Sequence, residues 1–265
     1  MNVDVVKMHG AENTFFVVDE RPPRLPRYDE LARALCAPGG DSGGADGILV
    51  LRDADGFSAE MQIYNADGSR AEMCGNGVRC VARYLWERGG GDTLTIATLA
   101  GPIATTIVQR DPFEVRVDIG PVTFPSDARP EEIAVEGETW TFFDVSLGNP
   151  HAVIFVDDVG RVELERLGAA FGVHARFPHG TNVHVVERMG GSKLRVRHFE
   201  RGVGPTKACG TGAVACAAAA IIVHGVRSPV TVYVPGGVLR VEWQPGETAR
   251  LSGPAERLFE RSIVA

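Results

Sequence analysis

Two cysteines stand in near-identical surroundings, Cys74 in Cys74-Gly75-Asn76-Gly77 and Cys209 in Cys209-Gly210-Thr211-Gly212. Each precedes a stretch with helical character. The first carries Val78, Val81, Ala82 and Leu85, and the second is an alanine-rich run to about Val223. Glycines let backbone N–H groups come close to a ligand. A helix N-terminus adds unpaired N–H donors and partial positive charge, which together suit a carboxylate. The same field favours a thiolate over a thiol. Two thiols beside one bound carboxylate are equipped to move a proton at the adjacent carbon. A base on one face removes the proton, an acid on the opposite face returns one, and the roles swap with the direction of reaction. The backbone donors would stabilise the charge that builds on the carboxylate.

The elements that position these thiols repeat along the chain. Asn13 lies 61 positions before Cys74, and Asn149 lies 60 before Cys209. Asp46 and Asn182 each lie 33 positions after their asparagine, and Asn65 and Glu200 each lie 9 before their cysteine. Four landmarks in one order and nearly one spacing imply an internal duplication. The expectation is two similar lobes with a cleft between them and one cysteine at the equivalent point of each. The Pro- and Gly-rich stretch at 120–129 marks the boundary, giving lobes at 1–119 and 120–257. Short β-branched runs predict strands at 15–18, 48–51, 61–64, 153–156, 183–186 and 194–198. Three helices are predicted: 28–36 and the two that follow the cysteines. The remainder reads as strand and turn.

The bulk composition narrows the function classes. The 265 residues are 44% hydrophobic and 23% charged, enough for a sizeable core without metal or disulfide. Net charge is −7 and no basic stripe stands out, which argues against a nucleic-acid partner. The first ten residues are too polar for a secretory signal, and no apolar run is long enough to span a bilayer. The expected compartment is therefore the cytoplasm, with Cys36, Cys74, Cys80, Cys209 and Cys216 as free thiols. Cys36, Cys80 and Cys216 read as core packing. No C-x-x-C pair or H-E-x-x-H helix indicates a metal site. His9, His174, His179, His184, His198 and His224 read as incidental.

At the cysteine segments the chain resembles the diaminopimelate epimerases. The resemblance is carried by MHGAENTFFVVD, GGADGILVL, YNADGSRAEMCGNGVRCVARYL, LGNPHAVIF, FPHGTNVHVV and FERGVGPTKACGTGAVACAAA, spread from residue 8 to about 220. It implies an α+β fold of two pseudo-symmetric lobes, each a mostly antiparallel, barrel-like sheet around a central helix, with the tail at 258–265 returning to the first lobe. It implies a cofactor-independent interconversion of LL- and meso-diaminopimelate by two thiols, on the route to lysine and peptidoglycan. Cys74 and Cys209 match the catalytic pair. His151 and Glu200 match the residues that assist thiol ionisation. Asn13, Asn65, Asn149, Asn182, Glu200 and Arg201 match substrate-binding groups, mainly for the distal end. The amides of Gly75, Asn76, Gly210 and Thr211 match the donors to the reacting carboxylate. Arg201 suits a carboxylate by its planar fork, and asparagines suit a zwitterionic head group. The expected partner is a small amino acid, without nucleic acid or membrane, and a homodimer is the quaternary state to test. Glu12, Thr14, His179 and Pro205 depart from the usual pattern and bear on substrate preference. Two other readings stay open: a related two-thiol racemase of another amino acid such as histidine, and a non-enzymatic switch that oxidises Cys74 to Cys209.

Overall fold

The computed structural model describes residues 2–21, 27–39, 43–135 and 137–264. The chain forms two compact units. One extends to Asp118 and returns at Ser252, and the other runs Ile119–Leu251. Both changeovers fall inside strands, the first within one residue of the expected 119/120 boundary and the second ahead of the expected 257.

In the first unit β1 (Asn2–Gly10) and β2 (Asn13–Asp19) form a hairpin, with Gly10 opposite Asn13. Its two central residues, Ala11 and Glu12, both have positive φ, 51° and 60°. That is the backbone a two-residue hairpin turn demands, and non-glycine residues adopt it at a cost. Then come α1 (Tyr28–Cys36), β3 (Gly47–Arg52), β4 (Ala59–Asn65), the short β5 (Arg70–Ala71) and α2 (Gly75–Glu87). β6 (Thr93–Thr98), β7 (Gly101–Arg110) and β8 (Phe113–Pro121) follow. β2 pairs parallel to β3, β3 antiparallel to β4, and β4 parallel to β6. Phe15–Val18 and Ile48–Leu51 are buried without interruption. Strands covered on both faces read as continuous apolar runs. Phe16, Val18, Ile48 and Val50 pack with Leu31, Ala32 and Leu35 of α1. On the other face Leu49 reaches to Gly77 of α2, where a Cβ would meet its Cδ2 at 2.9 Å.

The second unit repeats this order. β9 (Glu131–Val135) and β10 (Glu138–Ser146) lead to β11 (Pro150–Val156), α3 (Leu164–Gly172), β12 (Asn182–Arg188), β13 (Lys193–Glu200) and β14 (Gly204–Thr206). α4 (Gly210–His224), β15 (Val230–Val234), β16 (Gly237–Glu242) and β17 (Thr248–Pro254) complete it. β11 pairs parallel to β12, β12 antiparallel to β13, and β13 parallel to β15. Ala213–Ala220 of α4 are all fully buried, so this helix has no solvent face along that stretch. It packs on β10, β11, β12, β13, β15 and β16. Alanine suits a helix enclosed by strands because its small side chain permits close approach. The last strand, β18 (Glu256–Val264), belongs to the first unit and pairs antiparallel with β1, Val3 opposite Ile263.

The described residues therefore form a mixed α+β fold, mostly sheet, with four α-helices rather than three. The additional one, α3, buries Leu164, Leu167 and Phe171 against Phe142, Ile154, Val183 and Val185. A glycine at 168 masks it in the sequence, since glycine costs about 1 kcal/mol in a helix interior. The structure explains the residue: a Cβ at 168 would lie 2.2 Å from the Phe199 ring.

Candidate active site

Cys74 and Cys209 are the N-cap residues of α2 and α4, each with extended backbone (φ −143° and −119°). The two thiols differ in their settings. Cys209 is buried, and its sulfur accepts from the Gly212 N–H at 3.3 Å and lies 3.6 Å from Thr211 Oγ1. Cys74 is half-buried and makes no side-chain cap. In α2 and α4 the ladder begins with Val78 N–H to Cys74 O and Ala213 N–H to Cys209 O, both 2.9 Å. The amides of Gly75, Asn76, Gly210 and Thr211 therefore lie ahead of the ladder, as first-turn donors.

The Cys209 thiol does not follow the expectation of a lowered pKa. Burial, and next the Glu200 charge beside it, push it well above the ordinary thiol value, against hydrogen bonds from Thr211 and Gly212. Desolvation and a neighbouring carboxylate both penalise a thiolate, and here they outweigh the helix terminus. Glu200 ends β13, accepts from Thr206 Oγ1 at 2.6 Å and hydrogen-bonds the Cys209 thiol. Burial raises its carboxyl above the usual value. Glu200 therefore touches Cys209 directly, and its charge opposes ionisation of that thiol rather than assisting it.

His151 is placed differently. It is fully buried, with Nε2 3.0 Å from Asn149 Oδ1 and Nδ1 2.8 Å from His184 Nε2. Both ring nitrogens are thus engaged away from Cys209. Burial first, then His198 and Arg201, lower its pKa to about 3, so the ring is neutral. Asn182 is also buried and serves the backbone, donating to Pro150 O (2.9 Å) and accepting from Arg201 N–H (3.0 Å). Arg201 is exposed and donates from Nη1 to His179 O at 3.0 Å.

In the first unit Asn13 Nδ2 lies 4.0 Å from Cys74 Sγ. Its Oδ1 is buried without a hydrogen-bond partner, an acceptor left open beside the thiol. Asn65 is exposed and donates to Ser69 Oγ at 2.9 Å within its turn. Asn76 is buried and accepts from Arg79 Nη2 at 2.8 Å. Arg79 is a group the sequence reading passed over. Fully buried, it donates from Nε to Pro254 O (3.0 Å) and from Nη1 to Gly75 O (3.4 Å). It therefore clamps the turn that carries Cys74 from inside the helix. A cation so enclosed, held by neutral oxygens, favours negative charge nearby. An arginine four residues into an amphipathic helix normally signals a solvent face, so the sequence held no sign of it.

Among the described residues no cluster of histidine, cysteine or acidic side chains is arranged to hold a metal ion, and no helix is long and apolar enough to cross a membrane.

Comparison with solved structures finds the fold in a phenazine biosynthesis protein of the PhzF family from Bacillus anthracis, with TM-score 0.76, 16% identity and full coverage of both chains. A hydroxyproline epimerase from Agrobacterium vitis with bound trans-4-hydroxy-L-proline aligns at TM-score 0.70 and 18% identity, over 99% of this chain and 92% of that one. In sequence the chain is 39% identical to a diaminopimelate epimerase of Desulfitobacterium hafniense over 99% of this chain and 98% of that protein. It is 40% identical to one from Carboxydothermus hydrogenoformans over 97% and 98%. The family model described as diaminopimelate epimerase matches residues 5–125 and 143–258. With that match and those identities over nearly its full length, the chain belongs to the diaminopimelate epimerase family.

Proposed function

We propose that this chain epimerises LL-2,6-diaminopimelate to meso-diaminopimelate, a step of lysine and peptidoglycan precursor synthesis, with Cys74 and Cys209 as the acid/base pair and no cofactor. The observation that carries the reading is family membership over nearly the whole length combined with a thiol at the N-cap of a buried helix in each unit. One sulfur takes the α-proton as thiolate, and the other, as thiol, delivers its proton to the opposite face. After a turnover the protonation states are exchanged. The raised pKa of Cys209 suits the donor role at the start, with Glu200 positioned to exchange its proton. The first-turn amides of Gly75, Asn76, Gly210 and Thr211 would hold the reacting carboxylate, whose charge grows as the α-carbon loses its proton. The open Oδ1 of Asn13 suits an ammonium hydrogen, and Asn65, Asn149, Asn182 and Arg201 would receive the remaining head group. His151 acts in this scheme by orienting Asn149 rather than by meeting a thiol. The acid/base pair needs both cysteines as free thiols, a state that a reducing compartment such as the cytoplasm would maintain.

The test is proton NMR of the reduced protein with LL-diaminopimelate in deuterated water and no added cofactor. Loss of the α-proton signal with appearance of the meso form is expected. Cys74→Ser and Cys209→Ser should each lower turnover at least about 100-fold, the scale of a lost general acid or base. Exchange of another amino acid instead would move the substrate assignment. No exchange across amino acids would leave the thiol-switch reading.

A further inference from the structure

Three buried histidines of the second unit form a hydrogen-bonded row. His151 lies on β11, His184 on β12 and His198 on β13. The antiparallel register sets His184 directly opposite His198. The parallel register sets His184 beside Val153, two residues along from His151. All three side chains are fully enclosed. The row runs from Asn149 Oδ1 to His151 Nε2 (3.0 Å), from His151 Nδ1 to His184 Nε2 (2.8 Å), and from His184 Nδ1 to His198 Nδ1 (2.8 Å). It ends at His198 Nε2, which is buried without a partner.

Neutral imidazoles joined in this way have two proton arrangements. In the first, every ring donates toward Asn149. His198 Nδ1–H donates to His184 Nδ1, His184 Nε2–H to His151 Nδ1, and His151 Nε2–H to Asn149 Oδ1. Only a lone pair on His198 Nε2 is left unmet. In the second, every proton points the other way. Asn149 must then turn its NH2 toward His151, and His198 holds a buried N–H with no acceptor. Orphaned buried N–H groups are rarer than under-satisfied acceptors. Burial opposes a charge on any of the rings, lowering His151 and His198 to about 3 and His184 well below its usual value. The first arrangement is the stable one.

We propose that His184 and His198 are positioning residues that lock the amide of Asn149 through His151, so that its NH2 always faces the substrate. The proposal rests on the reading of Asn149 as a substrate-binding group. A locked NH2 donates only, so it selects a carboxylate oxygen over an ammonium, whereas an amide free to turn would accept either. Among the described residues this NH2 donates to no protein group. The row also underlies the second thiol. A Cβ at Gly212 would fall 2.5 Å from His184 Cε1 and 3.1 Å from Cys209 Sγ, so the His184 ring is the floor beneath the first turn of α4.

The experiment is long-range proton–nitrogen correlation of the full-length protein with 15N-labelled histidine. The expected spectrum has three neutral rings, with His151 and His184 as Nε2–H tautomers and His198 as the Nδ1–H tautomer. A His151 Nδ1–H tautomer, or an even mixture, overturns the proposal. In His198→Phe the terminal donor is gone. His151 should then populate both tautomers and KM for LL-diaminopimelate should rise about five- to tenfold, the worth of one hydrogen bond, with kcat within about twofold. His198→Asn, whose amide can donate to His184 Nδ1, should restore the single tautomer and most of the affinity. An unchanged KM in a folded His198→Phe protein also overturns it. If His198→Phe does not fold, the wild-type spectrum decides alone. A wild-type protein that never exchanges the α-proton would sink the epimerase reading, while the tautomer pattern would still uphold or overturn the lock.

Discussion

Cys209 and Glu200 are a thiol and a carboxylate in contact: the carboxylate holds the thiol's proton affinity up, while the hydrogen bond from the thiol lowers that of the carboxylate, which burial raises. Burial is the larger cause of the raised Cys209 pKa, and the Glu200 charge comes next. Replacing that charge by a neutral amide of the same shape removes the second cause and keeps the first. Glu200→Gln should therefore move the thiolate titration of Cys209 to lower pH. The ultraviolet thiolate absorbance, taken as the difference from Cys209→Ser, reads this directly, and an unmoved or raised midpoint would be incompatible with the contact described. The three imidazoles make a second titration prediction. A histidine whose folded pKa is depressed binds its proton only on unfolding, so its stability is intact above the unfolded value near 6.5 and is lost as pH falls below it. Between about 6.5 and about 3 the His151 and His198 rings should each contribute about 1.4 kcal/mol of lost stability per pH unit. His198→Phe should reduce the proton uptake on unfolding by about one, measured as the slope of unfolding free energy against pH. The cysteines were legible because their Gly-x-Gly context repeats at a fixed spacing. His184 and His198 read as incidental because only the strand register brings them into one row. One trace was present: His151 and His184 are separated by 33 residues, the interval already linking Asn149 to Asn182.

At the scale of the element, the first turn of each thiol-bearing helix is held from behind. α4 is held by the close approach of Gly212 to His184, and α2 by the guanidinium of Arg79. Gly212→Ala should displace the His184 ring or tilt the turn, costing about 1–3 kcal/mol for the overpacked methyl. It should also lower turnover, since the same turn carries Cys209. A steady-state assay beside a urea melt checks both. Arg79→Leu removes the guanidinium hydrogen bonds to Asn76 Oδ1, Gly75 O and Pro254 O. Loss of a buried charged hydrogen-bond donor costs about 1–3 kcal/mol per bond, partly offset by removal of a buried charge. A net loss of about 2–4 kcal/mol is expected on the urea curve, and a neutral or stabilising result would show that the clamp is not needed. The element that sequence patterning missed, α3, was recoverable by another route. Tyr28 and Leu164 begin α1 and α3 136 positions apart, and Asn13 and Asn149 are separated by the same interval. The duplication thus located a helix that residue propensities, interrupted by Gly168, did not.

Over the whole molecule the duplication sets the order of elements, and the tail breaks its symmetry. β18 has a partner in β1 along nearly its entire length, with a register shift between Lys7 and Met8. Without it β1 would be an open edge of the first unit, exposing backbone groups that now pair. Two arginines of α2 also depend on the returning segment, Arg79 through Pro254 O and Arg83 through Ala255 O at 2.6 Å. A chain ended at residue 251 should therefore lose order in the first unit in particular. It removes one strand, a contribution of Ile263 to the core with Val3 and Val5, and the acceptors of two part-buried or buried cations. Hydrogen exchange followed by mass spectrometry separates the outcomes. Protection should fall by at least about two orders of magnitude across residues 2–118, corresponding to roughly 3 kcal/mol of lost local stability, with the loss concentrated there rather than at 119–251. Protection in β1–β4 that survives the truncation would mean the first unit is held by its own helices and hairpins, and that the tail is an addition to the fold rather than part of its core.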